Sequence, residues 1–147
     1  MTQVPIQNSP DRGRHAVVAI IIEQERFLVI RRSEHVRAPG LICFPGGGIE
    51  LGEDFTTAIQ RELMEELFLE VHVGEHVWTS DTRWGIKLEW LVCSRREGSE
   101  PIAAPAEVAS IHWMTSSELR KRTDVLGSVP DFLDAIDKGI ICLSTIS

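Results

Sequence analysis

Between Gly46 and Leu69 a glycine triplet runs into an amphipathic segment whose polar side is crowded with acid, and no other stretch constrains the chain as much. Phe55, Ile59, Leu63 and Leu67 recur at every fourth position, which predicts a helix from about Asp54 to Leu67 packed on a core. From Glu50 to Glu70 there are seven acids (Glu50, Glu53, Asp54, Glu62, Glu65, Glu66 and Glu70) against one base, Arg61. Glu62, Glu65 and Glu66 are three and four residues apart, so their carboxylates project from one helical face. At an effective dielectric of 20, two such charges about 5 Å apart repel by roughly 3 kcal/mol, a cost that water screens and a divalent cation reverses. Hard oxygen donors of this kind suit Mg²⁺ or Mn²⁺. A solvated acidic face is the plainer reading of an isolated acidic helix. Here Gly46, Gly47 and Gly48 let backbone approach a ligand, and Glu53 stands where the loop enters the helix, so loop and helix can close on one metal site.

Strand-like segments surround this unit. HAVVAIII (15–22) is nearly continuous in apolar, β-branched character, and a polar EQER turn separates it from FLVI, which predicts a buried hairpin ending at Arg31 and Arg32. LICF (41–44) is a short strand feeding the glycine-rich loop. LEVHV, HVWTS and IKLEWLVCS read as three strands, with Asp81 to Gly85 as a turn between the last two, and Val108 to Trp113 as another strand. Thr115 and Glu118 form a capping box ahead of a short helix, and Ser128, Pro130 and Gly139 bracket a final helix. The order is α+β or α/β/α, which periodicity leaves open.

With 147 residues, 43% of them hydrophobic, the chain suits one domain, expected over residues 14–140. Residues 1–13 lack periodicity and are expected to form a flexible arm, and 141–147 a tail. Fifteen Lys and Arg against 22 Asp and Glu give a net charge of −7, which disfavours duplex nucleic acid and anionic membranes. Cys43, Cys93 and Cys142 lack CxxC spacing, so neither a disulfide framework nor a zinc ribbon is indicated, and a reducing cytoplasm fits. The glycine loop is not a dinucleotide fingerprint, because Leu51 stands where a third glycine is needed. Nor is it a P-loop, since Gly-Lys-Ser/Thr is absent.

Taken whole, GGGIELGEDFTTAIQRELMEELFL resembles the signature box of the Nudix (MutT-like) hydrolases: glycine, five residues, Glu, seven residues, then Arg-Glu-apolar-x-Glu-Glu-x-Gly-apolar. Gly47, Glu53, Arg61, Glu62, Leu63, Glu65, Glu66 and Leu69 take the defined positions, and Phe68 replaces the last glycine, one departure in nine. PGLICFPGG before the box and EVASIHWMTSSEL near the end extend the resemblance more weakly. A bulky residue in a left-handed cap costs on the order of 1 to 2 kcal/mol, so the helix is expected to end differently or run longer, which affects the aim of Glu66.

The resemblance implies a Nudix-like α/β/α sandwich with a mixed central sheet, and Mg²⁺-dependent cleavage of a nucleoside diphosphate linked to a further group. Nucleoside triphosphates are the leading substrates, with a nucleoside monophosphate as product. It also implies that Glu62, Glu65 and Glu66, with the carbonyl of Gly47, ligate Mg²⁺ (or Mn²⁺), while Glu53 and Arg61 orient them. Arg61 has Glu53 and Glu65 as candidate ion-pair partners. A further carboxylate from outside the box, as ligand or base, is Glu107, with Glu89 the second candidate. Arg31 and Arg32 are candidates for substrate phosphates, although neighbours on a strand face opposite sides. Trp84 and Trp78 are candidates for stacking on a base, with core or rim packing the alternative. His72 and His76 read as surface residues and Cys43 as a buried structural thiol. The partner is a small nucleotide, and a homodimer stays open. The rival reading is a Nudix-like module that senses a nucleotide without cleaving it, with Phe68 as the sign of drift.

Overall fold

The computed structural model describes residues 14–143, so the expected arm of residues 1–13 and the tail beyond 143 lie outside the described residues. Among the described residues eleven elements follow one another: β1 (His15–Ile20), β2 (Ile22–Glu23), β3 (Arg26–Arg32), β4 (Ile42–Cys43), β5 (Gly46–Gly48), α1 (Phe55–Leu67), β6 (Val71–Asp81), β7 (Lys87–Arg95), β8 (Val108–Met114), α2 (Ser116–Arg120) and α3 (Ser128–Asp137). One sheet has the order β5-β1-β7-β6 and is mixed, with β1 and β7 parallel and the other pairs antiparallel. The second sheet joins β2, β3 and β4, with β8 paired to β3, all antiparallel.

The unbroken apolar character of HAVVAIII has a simple cause: both faces of its strand are covered. Val17 and Ala19 face a core shared with Ile59, Leu63 and Leu67 of α1. Val18 and Ile20 face the opposite core, built with Phe132 and Leu133 of α3. Helices therefore flank the sheets on both sides, the expected α/β/α sandwich. The second core is rich in rings: Trp90 stacks on Phe132 at 4.7 Å, Phe44 meets Phe132 edge-on at 5.0 Å, and Trp78 lies 5.5 Å from Trp90. Trp78 is thus packing, not a base platform.

Three local expectations are corrected. The predicted hairpin breaks at Ile21: β1 joins the mixed sheet, and the short β2 alone pairs with β3. LEVHV and HVWTS are one long strand, β6, whose register against β7 slips between Val73 and His76 and again between His76 and Trp78. Bulges absorb the extra residues, so no turn is needed. The glycine triplet is itself strand β5, paired with Ala16, Val17 and Val18. Gly46, at φ +153°, is required there, because a Cβ would collide with the carbonyl oxygen of Val17.

Helix α1 starts at an Asp54 cap, whose carboxylate accepts the Thr57 N–H at 2.8 Å. It ends on Phe68 in the left-handed conformation (φ 48°, ψ 35°), with the Phe68 N–H reaching the carbonyls of Leu63 and Met64. The expectation that Phe68 changes the helix end is overturned: the glycine-type cap is kept with a bulky residue in it. No helix among the described residues is long and apolar enough to cross a membrane.

Candidate active site

Burial along α1 selects two of the three carboxylates. Ala58, Glu62 and Glu66 form one row beside Ile59, Leu63 and Leu67, and all six are buried. Glu65 lies off these rows and its side chain is 47% exposed. The packed row turns toward β5, where Gly46 donates its N–H to Glu66 Oε1 at 3.1 Å. Glu107 comes from the loop before β8, which is pinned to its surroundings by bonds from Glu107 N to Ala104 O (2.9 Å) and from Ser33 N to Glu107 O (3.0 Å). Ligand-competent oxygens of Glu62, Glu66 and Glu107 all lie within 4.8 Å of one another. Among the described residues the cluster therefore differs from the expected set of box glutamates: Glu107 is in it, and Glu65 is outside.

Electrostatics express the crowding. Burial, reinforced by the charges of Glu62 and Glu107, pushes Glu66 up to about 8, against the Gly46 N–H and Arg32, which favour its anion. Glu62 is also raised by burial, although Arg61 opposes the shift.

Arg61 organises the outer side of the cluster. Its Nε and Nη2 bind Glu53 bidentately at 2.6 and 2.8 Å, its Nη1 reaches Glu62 at 3.0 Å and Glu65 at 3.2 Å, and Nη2 also donates to the Gly48 carbonyl at 2.8 Å. Both expected partners, Glu53 and Glu65, are engaged. The bidentate pair holds Glu53 down to about 2, and Glu53 in turn accepts the Glu50 N–H at 2.8 Å, which closes the turn before the helix.

Glu62, Glu66, Glu107 and the glycines of β5 line a cleft of about 1560 Å³ together with Arg32, Arg37, Cys43, Phe44, Leu88, Arg83 and Trp84. The volume exceeds the roughly 300–1,000 Å³ usual for ligand pockets. Arg32 faces the cleft with its Nε on the Arg37 carbonyl (2.6 Å) and Nη1 near Cys43 Sγ (3.7 Å). Arg31 does not join it. Its guanidinium turns away to the Gly40 carbonyl (2.7 Å) and Asp124 (3.2 Å), so the structure does not bring Arg31 to the cleft. Cys43 is buried, which raises its thiol to about 11 despite Arg32, and it is inert as a nucleophile. Trp84 is 71% exposed at the cleft wall with Arg83 over its ring at 5.0 Å. Glu89 is buried, not at an exposed strand end, and outside the cluster. It binds His15 and His76; His76 is exposed, as expected, with its ring tied to Glu89.

Arg37 and Arg83 were not legible as site residues. Arg37 sits in a loop with no periodicity, and only the folded loop brings it to Arg32.

The NUDIX domain matches residues 12–134. A MutT-like protein of Streptomyces ambofaciens is 30% identical over 140 residues, 93% of this chain and 86% of that protein. The CTP pyrophosphohydrolase of Escherichia coli (strain K12) is 44% identical over 62 residues, 42% of this chain and 46% of that protein. Among solved structures, the MutT protein from Methanosarcina mazei Go1 shares the fold with a TM-score of 0.72 at 22% identity, covering 85% of this chain and 93% of that one. The MutT NUDIX hydrolase from Burkholderia pseudomallei does so with a TM-score of 0.68 at 21% identity, covering 82% of this chain and 95% of that one. Fold and sequence together define a nucleotide pyrophosphate hydrolase. The chain belongs to the NUDIX domain family.

Proposed function

We propose that this hydrolase is a MutT-like nucleoside triphosphate pyrophosphohydrolase, dependent on Mg²⁺ (or Mn²⁺ in its place), that releases a nucleoside monophosphate. The observation that carries the reading is the convergence of Glu62, Glu66 and Glu107 within 4.8 Å on the wall of the cleft. Three hard oxygen donors, one of them buried with its carboxyl pushed up by burial and by acidic neighbours, fit a divalent cation. These three residues would hold it, with the backbone of Gly47 against Glu62. A bound Mg²⁺ supplies charge neutralisation at the phosphates, a water of lowered pKa and an in-line template.

The chain's own residues do the rest. Glu53 fixes Arg61, and Arg61 fixes the outer oxygen of Glu62, so the donor set is preorganised before substrate arrives. Glu65, half-exposed and tied to Arg61, is assigned the rim position from which a proton can pass to solvent. Arg32 takes a phosphate oxygen, with Arg37 and Arg83 adding positive charge along the cleft. Trp84 offers a base an exposed ring face. Likeness to a MutT-like protein and to a CTP pyrophosphohydrolase supports triphosphates as the first compounds to assay.

Purified protein with Mg²⁺, given a panel of canonical and oxidised nucleoside triphosphates, is expected to yield nucleoside monophosphate and pyrophosphate. Release of neither across the panel overturns the reading. A sensor that binds a nucleotide without cleaving it is the rival reading, and binding without product in the same panel favours it.

A further inference from the structure

We propose that Glu89 is a positioning residue for the hydrolytic reaction: through His15 and His76 it sets the loop that carries Glu53. Glu89 lies on β7, 5% exposed, on the strand face that continues through Leu91 and Cys93 into the α1 core. His15 Nε2 lies 2.7 Å from its Oε2 and His76 Nε2 lies 2.8 Å from its Oε1, while Thr79 also donates to Oε1. Three strands thus converge on one carboxylate: β1 supplies His15, β6 supplies His76 and Thr79, and β7 supplies Glu89. Burial favours the neutral acid here, yet the three donors outweigh it and hold Glu89 below the ordinary carboxylate range. The group is an anion with both oxygens satisfied.

Stability does not account for such a group. Desolvating a carboxylate is costly, and an apolar side chain of similar volume in its place is often neutral or stabilising. What Glu89 holds explains it better. His15 touches both ends of the connection from β5 to α1: its carbonyl accepts the Ile49 N–H at 2.9 Å, and its ring meets Phe55 edge-on at 5.8 Å. His76 flanks the same Phe55 ring at 5.5 Å. Residues 50–54 span these two anchors, and within them stands Glu53, bound to Arg61, which reaches Glu62. Locking the two imidazoles therefore fixes the ends of the span and, through them, the orientation of the carboxylate cluster. Displacement of a supporting group by about 1 Å is enough to cost up to roughly a hundredfold in rate.

The inference rests on the hydrolase reading, and the test separates the two. Glu89→Leu and Glu89→Gln are made in the full chain and assayed with Mg²⁺ and the triphosphate that the parent hydrolyses best. Urea midpoints and amide hydrogen exchange are measured in parallel. The Leu variant is expected to keep or raise the urea midpoint, lose about tenfold in kcat with KM within about twofold, and exchange the amides of residues 49–55 faster than the rest of the fold. The Gln variant keeps an acceptor for one histidine and a donor for the other tautomer of its partner, and is expected to return kcat to within about threefold of the parent. A Leu variant with parental kcat overturns the proposal. So does one whose midpoint falls with faster exchange throughout, because Glu89 is then structural only. A parent without turnover overturns the hydrolase reading alone, and exchange at residues 49–55 then decides the role of Glu89.

Discussion

The carboxylate of Glu62 lies against the bare Cα of Gly47, so closely that a Cβ there would stand 2.7 Å from Oε2 and nearer still to Oε1. The glycine is kept by its neighbour's side chain, not by backbone conformation. Because the colliding atoms end a flexible side chain, Gly47→Ala is expected to leave the unfolding free energy in urea within about 0.5 kcal/mol of the parent while Glu62 swings out of the cluster. Mg²⁺-dependent kcat should fall at least about tenfold. Parental kcat in the Ala variant would show that Glu62 works from another position.

Phe68 holds a left-handed conformation at 53% exposure, a backbone cost that little burial offsets. Phe68→Gly removes a strain of about 1 to 2 kcal/mol but adds unfolded-state entropy of about 0.4 to 1 kcal/mol. The expected outcome is a variant more stable by about 0 to 1.6 kcal/mol with unchanged kcat, read from urea unfolding and from turnover. A lower midpoint would show that contacts of the exposed ring outweigh the strain.

Where the sequence was read correctly, local rules governed the outcome. The stripe of Phe55, Ile59, Leu63 and Leu67 set α1, and the Thr115–Glu118 capping box set α2, where both reciprocal bonds form. Local rules also selected the acids of the box, but not which of them converge. Spacing puts Glu62, Glu65 and Glu66 on one side of a helix. Only the direction of the core shows that Glu62 and Glu66 continue the Ala58 row inward while Glu65 does not. Glu107 enters through tertiary pairing of β8 with β3, which no spacing reports. The break at Ile21 was hidden for a related reason. A strand covered on both faces has no alternation to show where one sheet ends and the next begins.

That difference between Glu65 and Glu107 is measurable. Glu107→Gln removes one anion from the cluster and is expected to weaken Mg²⁺ binding about tenfold or more, by calorimetry on the substrate-free protein. Glu65→Gln is expected to leave Mg²⁺ affinity within about threefold and lower kcat by about tenfold through its rim position. Equal losses of Mg²⁺ affinity would place both residues on the cation.

Arg31 and Arg32 are adjacent yet serve opposite sides of β3, and the register against β8 shifts between them. Arg32→Ala is expected to raise KM for a triphosphate about tenfold or more, the usual loss for a charge-assisted phosphate contact. Arg31→Ala should leave KM within about twofold while lowering the urea midpoint, since the Gly40 carbonyl loses its guanidinium donor and Asp124 keeps only Arg122. Reversed effects would exchange the two roles.

The raised Glu66 makes metal-free stability fall with pH. Its carboxyl is near 4.5 unfolded and about 8 folded, so between these values the folded state holds a proton that the unfolded state has lost. Stability from this group is fully present below about 4.5 and is lost as pH rises through about 8. In EDTA, urea unfolding should therefore give a lower free energy at pH 9 than at pH 6, and Glu66→Gln, which cannot titrate, should flatten that difference. Mg²⁺ acts in the opposite sense, because a cation replaces the proton and neutralises the anion. The Mg²⁺-induced rise in melting temperature should thus be larger at pH 9 than at pH 6. A rise of the same size at both values would mean that the cation binds without displacing the Glu66 proton.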